Sequence, residues 1–131
     1  MSDVPENGAR RVLVVDDNAD AADSLAMLLQ VRGEEVRVAY DGEEALVAEG
    51  EFRPHVLLLD IGMPKLSGYE VARRVRDLRG PGVLIVAITG WGQEEDRLRA
   101  REAGFDHHFT KPVDYAVLLD LIDSQAPPAR A

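Results

Sequence analysis

The sequence contains no cysteine among its 131 residues. A disulfide framework, a thiol nucleophile and a cysteine-based zinc or iron–sulfur centre are therefore excluded. No apolar run approaches the roughly 20 residues that a membrane-spanning helix needs. The first residues, Met1–Arg11, lack the apolar stretch of a secretory signal. These absences lead us to expect a cytoplasmic protein.

Basic residues are also scarce, since 15 Lys and Arg stand against 24 Asp and Glu, for a formal net charge of −9. A chain with this charge is repelled by phosphate backbones and by anionic membrane surfaces. We therefore expect neither nucleic acid nor membrane as a partner. Acidic residues are abundant in the chain, and their positions indicate its function.

Short apolar runs alternate five times with segments of helical periodicity. The runs are Val12–Val15, Glu35–Ala39, Val56–Leu59, Val83–Ile88 and Phe105–Thr110. The helical segments follow each run, with inward-facing positions at Ala21, Leu25, Leu28 and Leu29, at Val71, Val75 and Leu78, and at Tyr115, Leu118, Leu119 and Ile122. This alternation predicts one doubly wound α/β domain over 11–124, with a mostly parallel sheet covered on both faces. The polar ends, 1–10 and 125–131, are predicted to be disordered tails.

Chemically active side chains stand where the predicted strands end. Asp16 and Asp17 end the first strand, Asp60 the third, Thr89 the fourth and Lys111 the fifth. Ligands bind at the carboxyl ends of the strands in an open α/β sheet, so we expect these five side chains to meet. An all-oxygen, highly negative set suits Mg²⁺, and the absence of His and Cys from it disfavours zinc. An Asp beside Mg²⁺ can accept a phosphoryl group, with Lys111 and Thr89 as donors to its oxygens.

Five short motifs in this order resemble the receiver domain of response regulators. They are Val14–Asn18, Leu57–Pro64, Ser67–Glu70, Ile88–Gly90 and Thr110–Pro112. The resemblance implies a flavodoxin-like (βα)5 fold with strand order 2-1-3-4-5 and a cis peptide before Pro112. It implies that Asp60 is the phosphoacceptor, that Asp16, Asp17, Asp60 and the Gly62 backbone carbonyl hold Mg²⁺, and that Thr89 and Lys111 contact the phosphoryl group.

The same resemblance implies a signalling switch rather than a metabolic enzyme. The phosphoryl group would come from a histidine kinase or phosphotransfer protein. A downstream protein would read the face formed by helix 4, strand 5 and helix 5, and the chain would be a monomer or a weak phosphorylation-dependent dimer. Because the sequence shows no output domain after Ser124, we expect a stand-alone receiver, with a receiver segment of a hybrid histidine kinase as the alternative.

Two positions depart from the family pattern. His108 occupies the place where receivers usually carry Tyr or Phe as a rotameric switch, so it acts either as an equivalent half-buried ring or as a pH-sensitive one. Trp91 stands two residues after Thr89 and either shields the aspartyl phosphate from water or offers an aromatic surface to a partner. His107 and His108 are not expected to share a metal ion, because adjacent strand residues face opposite ways.

Two other function classes fit the sequence less well, because each needs a feature that the sequence lacks. A phosphatase with an Asp nucleophile needs an acid/base Asp two residues later, and Asp60 is followed by Ile61 and Gly62. A flavodoxin-like cofactor binder needs a Ser/Thr/Gly-rich phosphate loop after the first strand. Here that loop is the acidic segment 16–20, which has the wrong charge for the phosphate of FMN.

Overall fold

In the computed structural model, which describes residues 10–63, 67–90 and 94–125, strands and helices alternate five times. The strands are β1 (Arg11–Val15), β2 (Glu35–Ala39), β3 (Val56–Asp60), β4 (Leu84–Thr89) and β5 (His107–Thr110). The helices are α1 (Ala19–Val31), α2 (Gly42–Phe52), α3 (Gly68–Arg79), α4 (Glu94–Ala103) and α5 (Tyr115–Gln125), with a 3-10 turn at Gly80–Gly82. The predicted elements are confirmed, with β2 as predicted at both ends and the other strand ends within two residues of the prediction.

All strand pairs are parallel, and the order across the sheet is β2-β1-β3-β4-β5, as the resemblance implied. The central strands are buried throughout because helices cover both of their faces. One core cluster joins the sheet to α1 and α5, and a second joins it to α2, α3 and the end of α4. In β1, Val12 and Val14 face the first cluster while Leu13 and Val15 face the second.

Side-chain caps start four helices directly after the loops at the carboxyl edge of the sheet. Backbone N–H groups in the first turns of α1, α2, α3 and α5 donate hydrogen bonds to the side chains of Asn18, Asp41, Ser67 and Asp114. Such caps satisfy N–H groups that have no partner within the helix. They therefore fix the point where each loop ends.

Three apolar side chains lie where the periodicity did not place them. Leu78 is 78% exposed and Tyr115 is 45% exposed, although both were predicted to face the core. At the end of α3 the inward positions are taken by Arg76 and Arg79, and Leu78 is turned about 100° from Arg79. Tyr115 is the first residue of α5, where the helix starts beyond the core. Leu121, which is not among the inward positions predicted for this helix, is half-buried against the cluster under α1 and α5.

The longest helix within the described ranges, α1, has 13 residues. No helix in those ranges is long and apolar enough to cross a bilayer. Helix α5 extends to Gln125, the first residue of the predicted C-terminal tail. Arg10, the last residue of the predicted N-terminal tail, is also described, and its guanidinium lies 3.6 Å from the Asp123 carboxylate. Residues 1–9 and 126–131 lie outside the described ranges, so their disorder stays a prediction.

Candidate functional site

The five side chains predicted to meet are brought to one edge of the sheet. Asp16 and Asp17 follow β1, Asp60 ends β3, Thr89 ends β4 and Lys111 follows β5. The parallel register aligns Asp60 with Ile88 and Thr89 with Thr110. The last residues of the neighbouring strands therefore lie side by side, which is the arrangement that the sequence predicted.

Asp16, Asp17 and Asp60 form a compact group of carboxylates. Each offers one oxygen, and these oxygens all lie within 4.8 Å of one another. Asp16 and Asp60 are only 7% and 8% exposed, whereas Asp17 is open to solvent. The group is thus strongly negative, and it is open to solvent at Asp17.

Backbone and lysine contacts orient the two buried carboxylates. Asp16 Oδ1 accepts a hydrogen bond from the Asn18 N–H at 2.9 Å, and Asp60 Oδ1 accepts one from the Gly62 N–H at 3.0 Å. Lys111 Nζ lies 3.3 Å from Asp16 Oδ2 and 3.7 Å from Asp60 Oδ2. A single ammonium group therefore faces both buried carboxylates, and Gly62 is held beside the Asp60 side chain.

The balance of charge in this group is visible in two pKa values. The pKa of Asp60 is raised from 3.8 to about 6, mainly by burial and further by the nearby charge of Asp16. The hydrogen bond from Gly62 and the charge of Lys111 oppose this rise. Burial lowers the pKa of Lys111, but the charges of Asp60 and Asp16 outweigh that effect and the pKa is raised overall. The site is therefore short of positive charge and suited to gain a cation.

Thr89 and Lys111 are joined through their backbones. The Lys111 N–H donates to the Thr89 carbonyl at 2.7 Å, and Thr89 is fully buried. The Lys111–Pro112 peptide bond is cis, which confirms the expectation.

His108 is half-buried in β5 beside Ala87 of β4. It faces away from Phe109, which packs on the cluster under α1 and α5, so His108 lies on the α2–α4 side of the sheet. His107 faces the opposite way, in agreement with the expectation that the two histidines do not share an ion. Trp91 lies outside the described residues, and its role stays a prediction.

One contact with the site was not anticipated from the sequence. A Cβ atom on Gly68 would lie 2.6 Å from Ile61 Cα and 2.7 Å from the Asp60 carbonyl oxygen. The first turn of α3 therefore packs directly on the backbone of Asp60, and only glycine permits this approach. The Ser67-Gly68 pair signals a helix start, but nothing in the sequence says what that start touches.

The chain belongs to the response regulator receiver domain family. Its family model matches residues 12–123. The chain is 39% identical over 112 residues to an uncharacterised 14.6 kDa protein of Leptolyngbya boryana, covering 85% of this chain and 86% of that one. It is also 30% identical to the transcriptional regulator RpaA of Synechocystis, covering 83% of this chain but 46% of that regulator. The chain thus spans about half the length of most curated relatives it matches.

Solved structures agree with this assignment. A receiver domain protein from Methanospirillum hungatei superposes with a TM-score of 0.82 at 31% identity, covering 88% of this chain and 91% of that one. A response regulator protein from Burkholderia pseudomallei, solved with a phosphorylated aspartic acid, calcium ion and citrate, superposes with a TM-score of 0.79 at 30% identity. That match covers 84% of this chain and 64% of the other. Receiver domains of this family belong to two-component signalling systems.

Proposed function

We propose that the chain accepts a phosphoryl group on Asp60 from a histidine kinase or phosphotransfer protein, with Mg²⁺ bound in the same site. The observation that carries this proposal is the group of three carboxylates within 4.8 Å of one another, faced by the Lys111 ammonium group. Asp60 is the central member, because it ends the middle strand of the sheet and contacts both Lys111 and Gly62.

The residues present suit Mg²⁺. Hard divalent cations prefer carboxylate, carbonyl and water oxygens, and Mg²⁺ keeps several of its waters. Asp16, Asp17 and Asp60 would hold the ion, together with the backbone carbonyl of Gly62. The raised pKa of Asp60 supports this assignment, since a cation would relieve the repulsion between the buried carboxylates. When bound, the ion supplies positive charge against the phosphoryl oxygens.

In the proposed reaction one carboxylate oxygen of Asp60 attacks the phosphorus of a phosphohistidine. A P–O bond forms, the P–N bond breaks, and the electron pair of that bond leaves with the imidazole. Lys111, already paired with Asp60 and Asp16, neutralises negative charge on the transferred group. The hydroxyl of Thr89 is the second proposed donor from this chain, since Thr89 ends the strand next to Asp60.

Known structures of relatives support this chemistry. The Burkholderia pseudomallei regulator carries a phosphorylated aspartic acid and a calcium ion. A second solved structure, at 30% identity to this chain, is the BeF3-activated receiver domain of DrrB. Both share the fold of this chain, and we carry the phosphorylated aspartate of the Burkholderia pseudomallei regulator over to Asp60 as part of the proposal.

The proposed output is a change in the face formed by α4, β5 and α5, which a downstream protein reads. Thr89 and His108 are the proposed switch residues that link the site to this face. Leu98 of α4 and Val117 of α5 are 51% and 52% exposed, so apolar surface is available to a partner there. We propose that the chain acts in the cytoplasm as a monomer or a weak phosphorylation-dependent dimer.

Incubation with phosphoramidate and Mg²⁺ tests the proposal, because its P–N bond resembles that of phosphohistidine. We expect a new acyl-phosphate signal in the ³¹P NMR spectrum of the protein, and we expect EDTA to prevent it. Asp77, an exposed aspartate on α3, provides the matched control, so Asp77→Asn should give the signal and Asp60→Asn should not. A signal that persists in Asp60→Asn would contradict the assignment of the phosphoacceptor.

A further inference from the structure

Helix α4 has little apolar surface with which to dock. Of its residues with described side chains, Ala103 is buried, whereas Leu98 is 51% exposed and Arg99, Arg101 and Glu102 are also exposed. A helix that buries so little is held by few contacts, and weakly docked elements are those that move. The contacts that do hold α4 therefore decide where it rests.

The C-terminal end of α4 is fixed by Arg76 of α3. The Gly104 carbonyl accepts hydrogen bonds from Arg76 Nε at 3.1 Å and Nη2 at 2.8 Å. The same guanidinium donates to the carbonyls of Gly80 and Val83 and to the Asp106 carboxylate. Arg76 thus anchors one end of α4 to the amino edge of the sheet, and a movement of α4 would pivot about that end.

Arg99 provides a second contact, nearer the middle of α4. Its guanidinium carbon lies 4.2 Å from the centroid of the Tyr69 ring. Tyr69 in turn meets the buried ring of Phe105 edge-on, with centroids 6.3 Å apart and an interplanar angle of 87°. A cation over an aromatic face at this distance is attracted by the ring, and the attraction is modest at an exposed position.

Tyr69 connects this contact to the phosphoacceptor. It follows Gly68, whose backbone packs against Ile61 Cα and the Asp60 carbonyl oxygen. The first turn of α3 therefore touches the phosphoacceptor on one side and holds α4 on the other.

We infer that the contact between Arg99 and Tyr69 is a latch that keeps α4 against α3 and sets how readily the phosphoacceptor site switches. The contact exists in the arrangement in which the Asp60 carboxylate lies 3.7 Å from Lys111 Nζ. A contact that one arrangement makes and another lacks favours the first arrangement by the free energy of the contact. In this inference the arrangement that binds a phosphoryl group lacks the contact, so loss of the latch frees α4 and favours that arrangement. The effect of the latch on phosphoryl binding rests on the proposed function.

Two measurements on the full chain test the latch, with Arg99→Ala as the test variant and Arg101→Ala as the matched control on the same helix. The first is amide hydrogen exchange. We expect exchange in α4 to be about two- to fivefold faster in Arg99→Ala than in the control. The second is the affinity for beryllofluoride, a phosphoryl mimic, with Mg²⁺ present. We expect Arg99→Ala to bind it about two- to fivefold more tightly.

Tyr69→Leu completes a double-mutant cycle. If the effect comes from the contact, adding Tyr69→Leu to Arg99→Ala should change α4 exchange much less than adding it to the unmodified chain. Arg99→Lys, which keeps the cation, should restore part of the protection.

The outcomes separate the latch from the proposed function. If Arg99→Ala and Arg101→Ala exchange alike, the latch is wrong. If α4 exchanges faster but beryllofluoride affinity is unchanged, the contact only supports the helix and the coupling is wrong. If the unmodified chain does not bind beryllofluoride, the proposed function and the coupling both fail, while the exchange rates still show whether Arg99 holds α4.

Discussion

The two edges of the sheet hold their charges in opposite ways. At the carboxyl edge, Asp16, Asp17 and Asp60 lie close together, and the Lys111 ammonium group faces Asp16 and Asp60. The pKa of Asp60 is raised to about 6 by burial and by its neighbour Asp16. At the amino edge, Glu49 is paired with Arg79, and both side chains are nearly buried. Repulsion is thus concentrated where an ion and a phosphoryl group are proposed to bind.

The amino edge thus carries contacts that stabilise the fold, whereas the carboxyl edge carries the proposed functional site. The guanidinium of Arg79 also donates to the Pro54 carbonyl, and Arg76 binds carbonyl groups from three segments. These contacts tie the ends of α2, α3 and α4 to the starts of the strands. At the carboxyl edge, the described residues bring three carboxylates together with the Lys111 ammonium group, and such an excess of like charge is a departure expected at a functional site.

The largest effect should follow from breaking the pair at the amino edge. Arg79→Met leaves the Glu49 carboxylate buried without its cation, and we expect the free energy of unfolding to fall by about 3 kcal/mol. Urea denaturation would measure it. Arg37→Met is the control, because its pair with Glu51 is exposed and should be worth at most about 0.5 kcal/mol. Equal losses in both variants would contradict the contrast between the edges.

The next effect concerns the packing of α3 on the phosphoacceptor. Gly68→Ala would force a methyl group to within 2.6 Å of Ile61 Cα, and we expect a loss of about 2 kcal/mol in stability. Gly50→Ala is the matched control, since nothing lies within 4 Å of its Cβ position. That substitution in α2 should stabilise the protein by about 0.5 to 1 kcal/mol. A harmless Gly68→Ala would show that α3 does not pack tightly on Asp60.

At the carboxyl edge, removing a charge should stabilise the protein. A pKa raised from 3.8 to about 6 means that the folded state binds the Asp60 proton more tightly than the unfolded chain does. The free energy of unfolding therefore falls as pH rises through this window and stays lower above it. In EDTA at pH 7.5 we expect Asp60→Asn to gain about 1 to 2 kcal/mol, a range reduced for screening by solvent.

Mg²⁺ provides the complementary measurement on the same pair of proteins. An ion that binds only the folded state raises the midpoint of thermal unfolding. We expect this rise in the unmodified protein and little of it in Asp60→Asn. If Asp60→Asn is instead less stable in EDTA and responds to Mg²⁺ like the unmodified protein, the carboxyl edge is not under electrostatic strain.

The smallest effect is a pH dependence at the amino edge. His55 Nδ1 accepts a hydrogen bond from the Arg11 N–H at 3.0 Å. Burial, and then the charges of Arg11 and Arg79, lower the pKa of His55 below 6.5. The folded state therefore binds this proton less tightly than the unfolded chain, and stability falls as pH drops below 6.5. We expect His55→Asn to reduce that fall between pH 6.5 and 5, and identical pH profiles would contradict this.

Much of the fold follows from patterns that are local in the sequence. The central strands are apolar because both of their faces are covered, and the helices begin at capping residues such as Asp41 and Ser67. The site residues could be predicted for a related reason. Parallel strands end at the same edge, so residues that are far apart in sequence, such as Asp16 and Lys111, must meet there.

Other features depend on packing that no local pattern records. Glu49 and Arg79 are separated by 30 positions, and each resembles an ordinary surface charge on its own helix. The inward turn of Arg79 is also why the prediction for Leu78 was wrong. The contact between Arg99 and Tyr69 likewise depends on how α4 lies against α3. For His108, the sequence predicts the position in β5 but leaves open the role of the imidazole.

The central claim is that the carboxylate group at the carboxyl edge makes Asp60 a Mg²⁺-dependent phosphoacceptor. The intact mass of the protein after incubation with acetyl phosphate tests it most directly. We predict a gain of about 80 Da, the mass of one phosphoryl group, in the unmodified protein and in Asp77→Asn when Mg²⁺ is present. We predict no gain in Asp60→Asn or after removal of Mg²⁺ with EDTA. The same gain in Asp60→Asn, or no gain in the unmodified protein, would contradict the claim.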